Sequence, residues 1–247
     1  MRLWKTAKRT ARRTLRFLND VQSGDWQRFA RKRRVKEPTD GWYENMLEQP
    51  IRSGSTLQQK LKNIHLACTA IDGLVLAPGE IFSFWQLVGA PVSKRGFLES
   101  RNIVSGKLSL EVGGGLCQVS GIIYHLGLMS GLSILERHAH SVDIYREEER
   151  FSPLGADATV VFGYKDLRIQ NPYAFPLVFR FVCTSGQLRF SIFTPEPIRS
   201  RDIIFMRERV GERERVETLE RMEAQTERRL ALSWYELSKN IDSNAGA

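Results

Sequence analysis

Cys117 lies in the run Gly113-Gly114-Gly115-Leu116-Cys117-Gln118-Val119-Ser120, the stretch of the chain whose residue types and spacing are best suited to chemistry. Three glycines free the backbone for positive φ and for close approach of another group. Beyond them Val119, Ile122, Ile123, Leu126 and Met129 recur at helical spacing, which predicts that Cys117 sits at or near a helix N-terminus. Unpaired N–H groups and the helix dipole favour an anion there, so they lower a thiol pKa and can equally cradle an oxyanion. A nucleophilic thiol also needs a group to handle its proton and another to orient that group. His125 is disqualified, because eight residues at ~1.5 Å rise place it ~12 Å along the same helix. His138 or His140 is the remaining source, with Asp157 as the orienting carboxylate and Asp143 as the alternative. The chemistry would be acyl transfer, with the N–H groups of Gly115 to Gln118 as oxyanion donors.

Two other readings stand beside it. His138-x-His140 on one strand face supplies two positions for a metal, with Glu136 or Cys117 as a third. Alternatively, Cys117 is a small buried hydrophobe behind a tight glycine turn, and the domain is a non-catalytic binding module. Serine-elbow and P-loop chemistry have no support, since neither Gly-x-Ser-x-Gly nor Gly-Lys-Ser/Thr occurs, and no cofactor is expected.

The elements that must position these residues are an N-terminal helix and a sheet. Leu57, Leu61, Ile64, Cys68 and Ile71 share one helical face after a Ser55 or Thr56 cap, which places Cys68 in a core. Ile81 to Val88 carries Phe82, Phe84 and Trp85 as further core candidates. From Ser133 to Tyr145 the pattern alternates, and Ala158 to Gly163, Leu167 to Gln170, Leu177 to Cys183 and Leu188 to Phe193 read as strands, with Thr184-Ser185-Gly186 as a hairpin turn. The fold class is therefore α+β: an N-terminal helix and a Cys-bearing helix on an antiparallel sheet, in a layout like that of papain- and transglutaminase-like hydrolases. Residues 38–56, with Pro38, Gly41, Pro50 and Gly54, read as a linker, 57–197 as the domain, and 198–247 as a charged arm. Within that arm Ile203 to Met206 could be a strand, and the spacing of Val216, Leu219, Met222, Leu230 and Leu237 predicts a helix over 212–239.

Composition narrows the partners. The 247 residues are 42% apolar and 26% charged, enough for a sizeable core. The net charge of +9 is unevenly placed: residues 1–36 hold 13 of the 37 basic residues against Asp20 and Asp25, and the remainder is about −2. A nucleic-acid-binding body is disfavoured on that ground. Leu3, Trp4, Ala7, Ala11, Leu15 and Leu18 recur among Lys and Arg as in a basic amphipathic helix, and Arg31-Lys32-Arg33-Arg34 follows, so residues 1–36 are expected to contact an anionic membrane surface and to be dispensable for folding. No apolar run follows the early basic residues as a signal peptide requires, which places the chain in the cytoplasm or at the inner face of the membrane. Cys68, Cys117 and Cys183 are odd in number and lack Cys-x-x-Cys spacing, so reduced thiols are expected.

Several segments together resemble the VanW family, named for an accessory gene of some vancomycin-resistance clusters: Leu76 to Trp85, Asn102 to Leu108, Gly113 to Ser120, Arg137 with His140, and Gly155 to Thr159. The resemblance spans about residues 57–195 and implies a link to the bacterial cell envelope, with a peptide or peptidoglycan-like component as the partner. It places Cys117, Gln118, Ser120, His140 and Asp157 on motif positions and selects His140 over His138. The expected site is thus Cys117, His140 and Asp157, with Gly113, Gly114, Gly115, Gln118 and Ser120 forming the binding loop.

Overall fold

The computed structural model describes residues 2–31, 40–104, 107–143, 150–222 and 226–237, and for residues 2–10, 101–104 and 107–108 the backbone alone. Two helices are the centre of the domain, α3 (Leu57–Ile71) and α5 (Leu116–Met129), and both follow the apolar spacing of their sequences. They pack on a four-stranded antiparallel sheet of order β1-β10-β9-β2, formed by Tyr43–Pro50, Gln187–Thr194, Leu177–Cys183 and Val75–Leu76. Ile64, Ala67 and Ile71 of α3 and Val119, Ile122 and Ile123 of α5 meet Phe179, Phe190 and Ile192 of the sheet, all fully buried. Cys68 shares that core, as its place in the stripe requires. A second sheet, β3-β8-β6, combines Ile81–Ser83, Arg168–Gln170 and Ser133–Glu136, and Gly127 of α5 leaves only the room that Ile169 fills. The short α4 (Phe84–Val88) is capped by Ser83, and Phe82 and Phe84 are core residues. β4 (Glu99–Val104) and β5 (Lys107–Val112) form a separate hairpin that leads into the glycine turn before α5.

Four expectations are corrected. The 38–56 stretch is not simply a linker: β1 pairs with β10 along its whole length, from Tyr43–Thr194 to Pro50–Gln187. It is an edge strand, where Pro50 costs no ladder bond and polar residues are tolerated, and that composition hides it. Residues 212–239 are not a helix, for β11 (Asp202–Val210), β12 (Arg213–Arg221) and β13 (Glu227–Leu237) form an antiparallel sheet. Its inner side carries Val216 and Tyr235, packed on Leu154 of the domain, and β13 continues in parallel pairing onto β7 (Val142–Asp143). Ala158 to Gly163 forms no strand beyond the isolated Val161–Lys165 bridge.

The fourth correction concerns the N-terminal segment. α1 (Arg2–Gln22) is the expected helix, but it docks with its polar face on the body. Arg16 pairs with Glu136 at 2.6 Å, Arg168 holds both Asp20 oxygens at 2.6 and 2.8 Å, and Arg12 and Arg13 lie over the rings of Tyr164 and Phe162. After α2 (Asp25–Arg28) the chain enters the core at Phe29 and Ala30, where the Ala30 N–H donates to Ile81 O. Leu15, Leu18 and Val21 are left facing outward, each more than half exposed. The cluster Lys32 to Arg34 lies outside the described residues, as do Ile144, Tyr145 and the end of the C-terminal segment. Among the described residues no helix is long and apolar enough to cross a membrane.

Candidate functional site

Gly115, at φ 96°, is the N-cap of α5, and Gly113 is likewise left-handed at φ 91°. A side chain at either position would strike a neighbour, Pro91 in one case and Lys60 in the other, so this turn needs glycine for space as well as for φ. Gly114 O accepts from the buried Asn63 amide at 3.0 Å, which ties the turn to α3. The turn delivers Cys117 as the second residue of α5, partly buried, its sulfur 4.0 Å from Val160 O.

The other expected loop residues serve the scaffold. Gln118 Nε2 donates to Pro50 O at 2.9 Å, fastening α5 to β1. Ser120 Oγ donates to Ala158 O at 2.6 Å and so holds the Asp157 segment beside the helix. Both residues are buried, and Gln118 Oε1 has no hydrogen-bond partner among the described residues.

His138 and His140 are not on a common strand face. β6 ends at Glu136, with a register shift between Ile134 and Glu136, and the chain from Arg137 to His140 is irregular. His138 Nε2 turns back to Glu136 at 2.9 Å, whereas His140 turns to Asp157. The described residues contain no group of three or more His, Cys, Asp and Glu that could hold a metal ion. Asp143, the alternative orienting residue, is taken up by an ion pair with Arg150.

Asp157 Oδ2 accepts from the His140 backbone N–H at 2.7 Å and from ring Nδ1 at 2.6 Å. With Nδ1 carrying the hydrogen toward the carboxylate, Nε2 is the ring nitrogen that Asp157 leaves free. Burial disfavours the charged imidazole, but the hydrogen bonds to Asp157 and Cys117 prevail and lift His140 to about 10. Burial likewise opposes ionisation of Cys117, yet the His140 hydrogen bond and charge, with Val160 O, leave its pKa below the ordinary thiol value. The other two thiols go the opposite way: burial raises both, Cys68 strongly. Asp157 is kept far below its usual range, against burial, by His140 and Arg137. The constellation is a thiol and an imidazole braced by a carboxylate, the thiol lowered and the imidazole raised from their ordinary values.

Three residues absent from the sequence reading as site members complete the arrangement. Arg137, quoted in the resemblance without a role, gives Nη2 to Asp157 Oδ1 at 2.9 Å and Nε to Asp157 O at 2.7 Å, and stacks over Tyr124 at 4.9 Å. Tyr235 OH donates to the same Oδ1 at 2.5 Å, and Ser233 Oγ accepts from Arg137 Nη1 at 2.5 Å. Ser233 and Tyr235 stand two apart on one face of β13, a strand signal that a charged, helix-favouring composition obscures.

The family profile described as VanW like protein matches residues 59–193, more than half of the chain and all of the Cys117, His140 and Asp157 constellation. The chain belongs to the VanW family. Two curated relatives are similar to the chain. One is the Uncharacterized protein YoaR of Bacillus subtilis, 36% identical over 147 residues, covering 60% of this chain and 47% of that protein. The other is the Vancomycin B-type resistance protein VanW of Enterococcus faecalis, 34% identical over 114 residues, covering 46% of this chain and 42% of the relative. The matched region thus spans less than half the length of either relative. No solved structure matches the chain. β11, β12 and β13, with Ser233 and Tyr235, lie beyond the VanW match.

Proposed function

We propose that this VanW domain is a cysteine-dependent acyltransferase or hydrolase acting on an amide or ester bond of a peptide-containing component of the cell envelope. The observation that carries the reading is the two-bond clamp of Asp157 Oδ2 on His140, the imidazole whose hydrogen bond and charge lower the Cys117 pKa. Cys117 Sγ attacks the acyl carbonyl, and the N–H groups at the start of α5 stabilise the oxyanion. As the bond from carbon to the leaving amine or alcohol breaks, His140 Nε2 gives it the proton, leaving a thioester on Cys117. Water, or an amine acceptor, then gives its proton to His140, attacks the thioester and frees the thiolate. The order Cys, His, Asp with the cysteine opening a helix is that of papain-like and transglutaminase-like hydrolases, although here His140 and Asp157 stand on irregular segments beside the strands. The choice of an envelope peptide rests on the name of the Enterococcus faecalis relative, which ties that protein to vancomycin resistance.

The test is to incubate the full chain with a panel of synthetic peptidoglycan stem peptides and their esters, quench in acid and weigh the Cys117 peptide. An acyl adduct on Cys117, absent in Cys117→Ala, is expected. Peptide binding of equal strength in wild type and Cys117→Ala, with neither adduct nor turnover, would instead establish a binding module.

The outward Leu15, Leu18 and Val21 also support attachment of α1 to an anionic membrane surface. Phosphatidylglycerol vesicles should retain the chain at low salt and release it as the Debye length falls from ~10 Å at 0.1 M to ~3 Å at 1 M. Binding that ignores salt and survives Leu18→Glu would refute this.

A further inference from the structure

The Asp157 carboxylate is divided between two sets of partners. Oδ2 serves His140 alone, while Oδ1 accepts from Tyr235 and Arg137. A carboxylate held only at Oδ2 could turn about its Cβ–Cγ bond and lose the imidazole; anchoring Oδ1 prevents that rotation. Arg137 does not fix it single-handedly, because its guanidinium is also spread over Gly155 O, Asp157 O, Ser233 Oγ and the Tyr235 hydroxyl. Tyr235 is better placed for the purpose. Its ring is 1% exposed and wedged against Leu154 and Val216, its hydroxyl accepts from Arg137 at 3.2 Å, and its single proton goes to Oδ1. Burial and the neighbouring Asp157 charge keep that proton on the phenol far above ordinary pH. The strand carrying it is locked to the His140 segment as well: Glu236 N–H donates to Ser141 O, and β13 pairs with β7.

Resting on the acyl-transfer reading, we propose that Tyr235 is a positioning residue of the Cys117, His140 and Asp157 site, so that the sheet beyond the VanW match is a working part of that site in this chain. Tyr235 touches no reacting atom; it acts through Asp157 on His140.

The experiment measures iodoacetamide alkylation of Cys117 in the full chain from pH 5 to 10, by mass spectrometry, with a thermal melt of each variant. Tyr235→Phe keeps the ring and removes the donor. Its alkylation profile should shift upward by about one pH unit, the tenfold that a hydrogen bond to a charged group is worth. Trp234→Phe, on the opposite face of the same strand, should overlay wild type. If Tyr235→Phe does not fold, Ser233→Ala, which removes one acceptor of Arg137 and leaves the ring, must shift the profile in the same direction. Profiles of Tyr235→Phe and Ser233→Ala that overlay wild type, while His140→Ala shifts, would overturn the positioning role and leave the acyl-transfer reading standing. An unshifted His140→Ala would bring down both.

Discussion

His140→Ala separates an activated thiol from a buried one. The substitution removes the hydrogen bond and the positive charge that lower the Cys117 pKa but leaves the burial that raises it, so the thiol should move from below its ordinary value to above it. A unit charge ~4 Å away at an effective dielectric of ~20 is worth ~4 kcal/mol, or about three pH units. The rate changes less than the ionised fraction, because nucleophilicity rises with pKa at a slope of ~0.4–0.5 and so returns a factor of about three for each tenfold loss. For a thiol still mostly protonated at pH 7, three units then give a fall of roughly 30- to 60-fold in alkylation of Cys117. Competitive labelling with iodoacetamide, read peptide by peptide, supplies the assay, and Cys68 and Cys183 are internal references whose thiols stay raised in both proteins. A folded His140→Ala variant whose Cys117 labels within threefold of wild type would refute the reasoning, since burial alone would then set the reactivity.

Asp20→Ala should cost ~1–3 kcal/mol in denaturant unfolding: breaking a buried pair costs ~3–5 kcal/mol, but Arg168 keeps Glu136 at 3.3 Å and Asp166 at 3.5 Å. An unchanged midpoint would return residues 1–31 to the status of a loose tail. Gly155→Ala should cost ~2–4 kcal/mol, because the residue sits at φ 102° and a Cβ would lie 2.8 Å from both Phe205 and Val216. Tolerance within ~0.5 kcal/mol would show that the C-terminal sheet does not press on this turn. For pH, His140 stands at about 10 against the usual 6.5, so its contribution to stability is fully present below pH 6.5 and is lost as pH climbs through 10. The stability gap between wild type and His140→Gln should therefore narrow from pH 6 to 10, and a gap that widens contradicts the ion pair. Acidification acts on α1 instead: burial notwithstanding, His138 and Arg16 hold Glu136 down to about 2, so the stability it contributes is present above pH 4.5 and disappears between there and 2. Amide exchange in α1 that does not accelerate over that window would argue against the Arg16 to Glu136 tie.

What could be read without coordinates follows from where local chemistry and tertiary context agree. α3 presents one apolar stripe to the core and α5 is apolar and buried nearly all round, so Cys68 inside and Cys117 at a helix start both follow from the apolar spacing of their segments. Of the C-terminal sheet, only the apolar start of β11 (Ile203 to Met206) was legible as a strand, because β12 consists largely of Arg and Glu, which favour helix locally and give no apolar alternation, and β13 opens on the same residue types. Pairing overrides that preference: Glu214 is buried against Arg207 on the neighbouring strand, with Val216 and Thr218 beyond it on the same face. His138 and His140 failed for a different cause. Period-two reasoning holds only while a strand continues, and β6 stops at Glu136. Tyr235 reaches Asp157 across most of a hundred residues, a contact that spacing cannot encode.

Arg137 and Tyr235 are 98 positions apart, and β13 is the last described strand to be synthesised. Long-range pairings of this kind form late, after local helices and hairpins. On the ribosome, α5 with its thiol is made well before β13, so the Tyr235 hydrogen bond to Asp157 can form only after the helix that carries Cys117 exists. The order of synthesis therefore sets the order in which the two halves of this hydrogen-bonded cluster can meet.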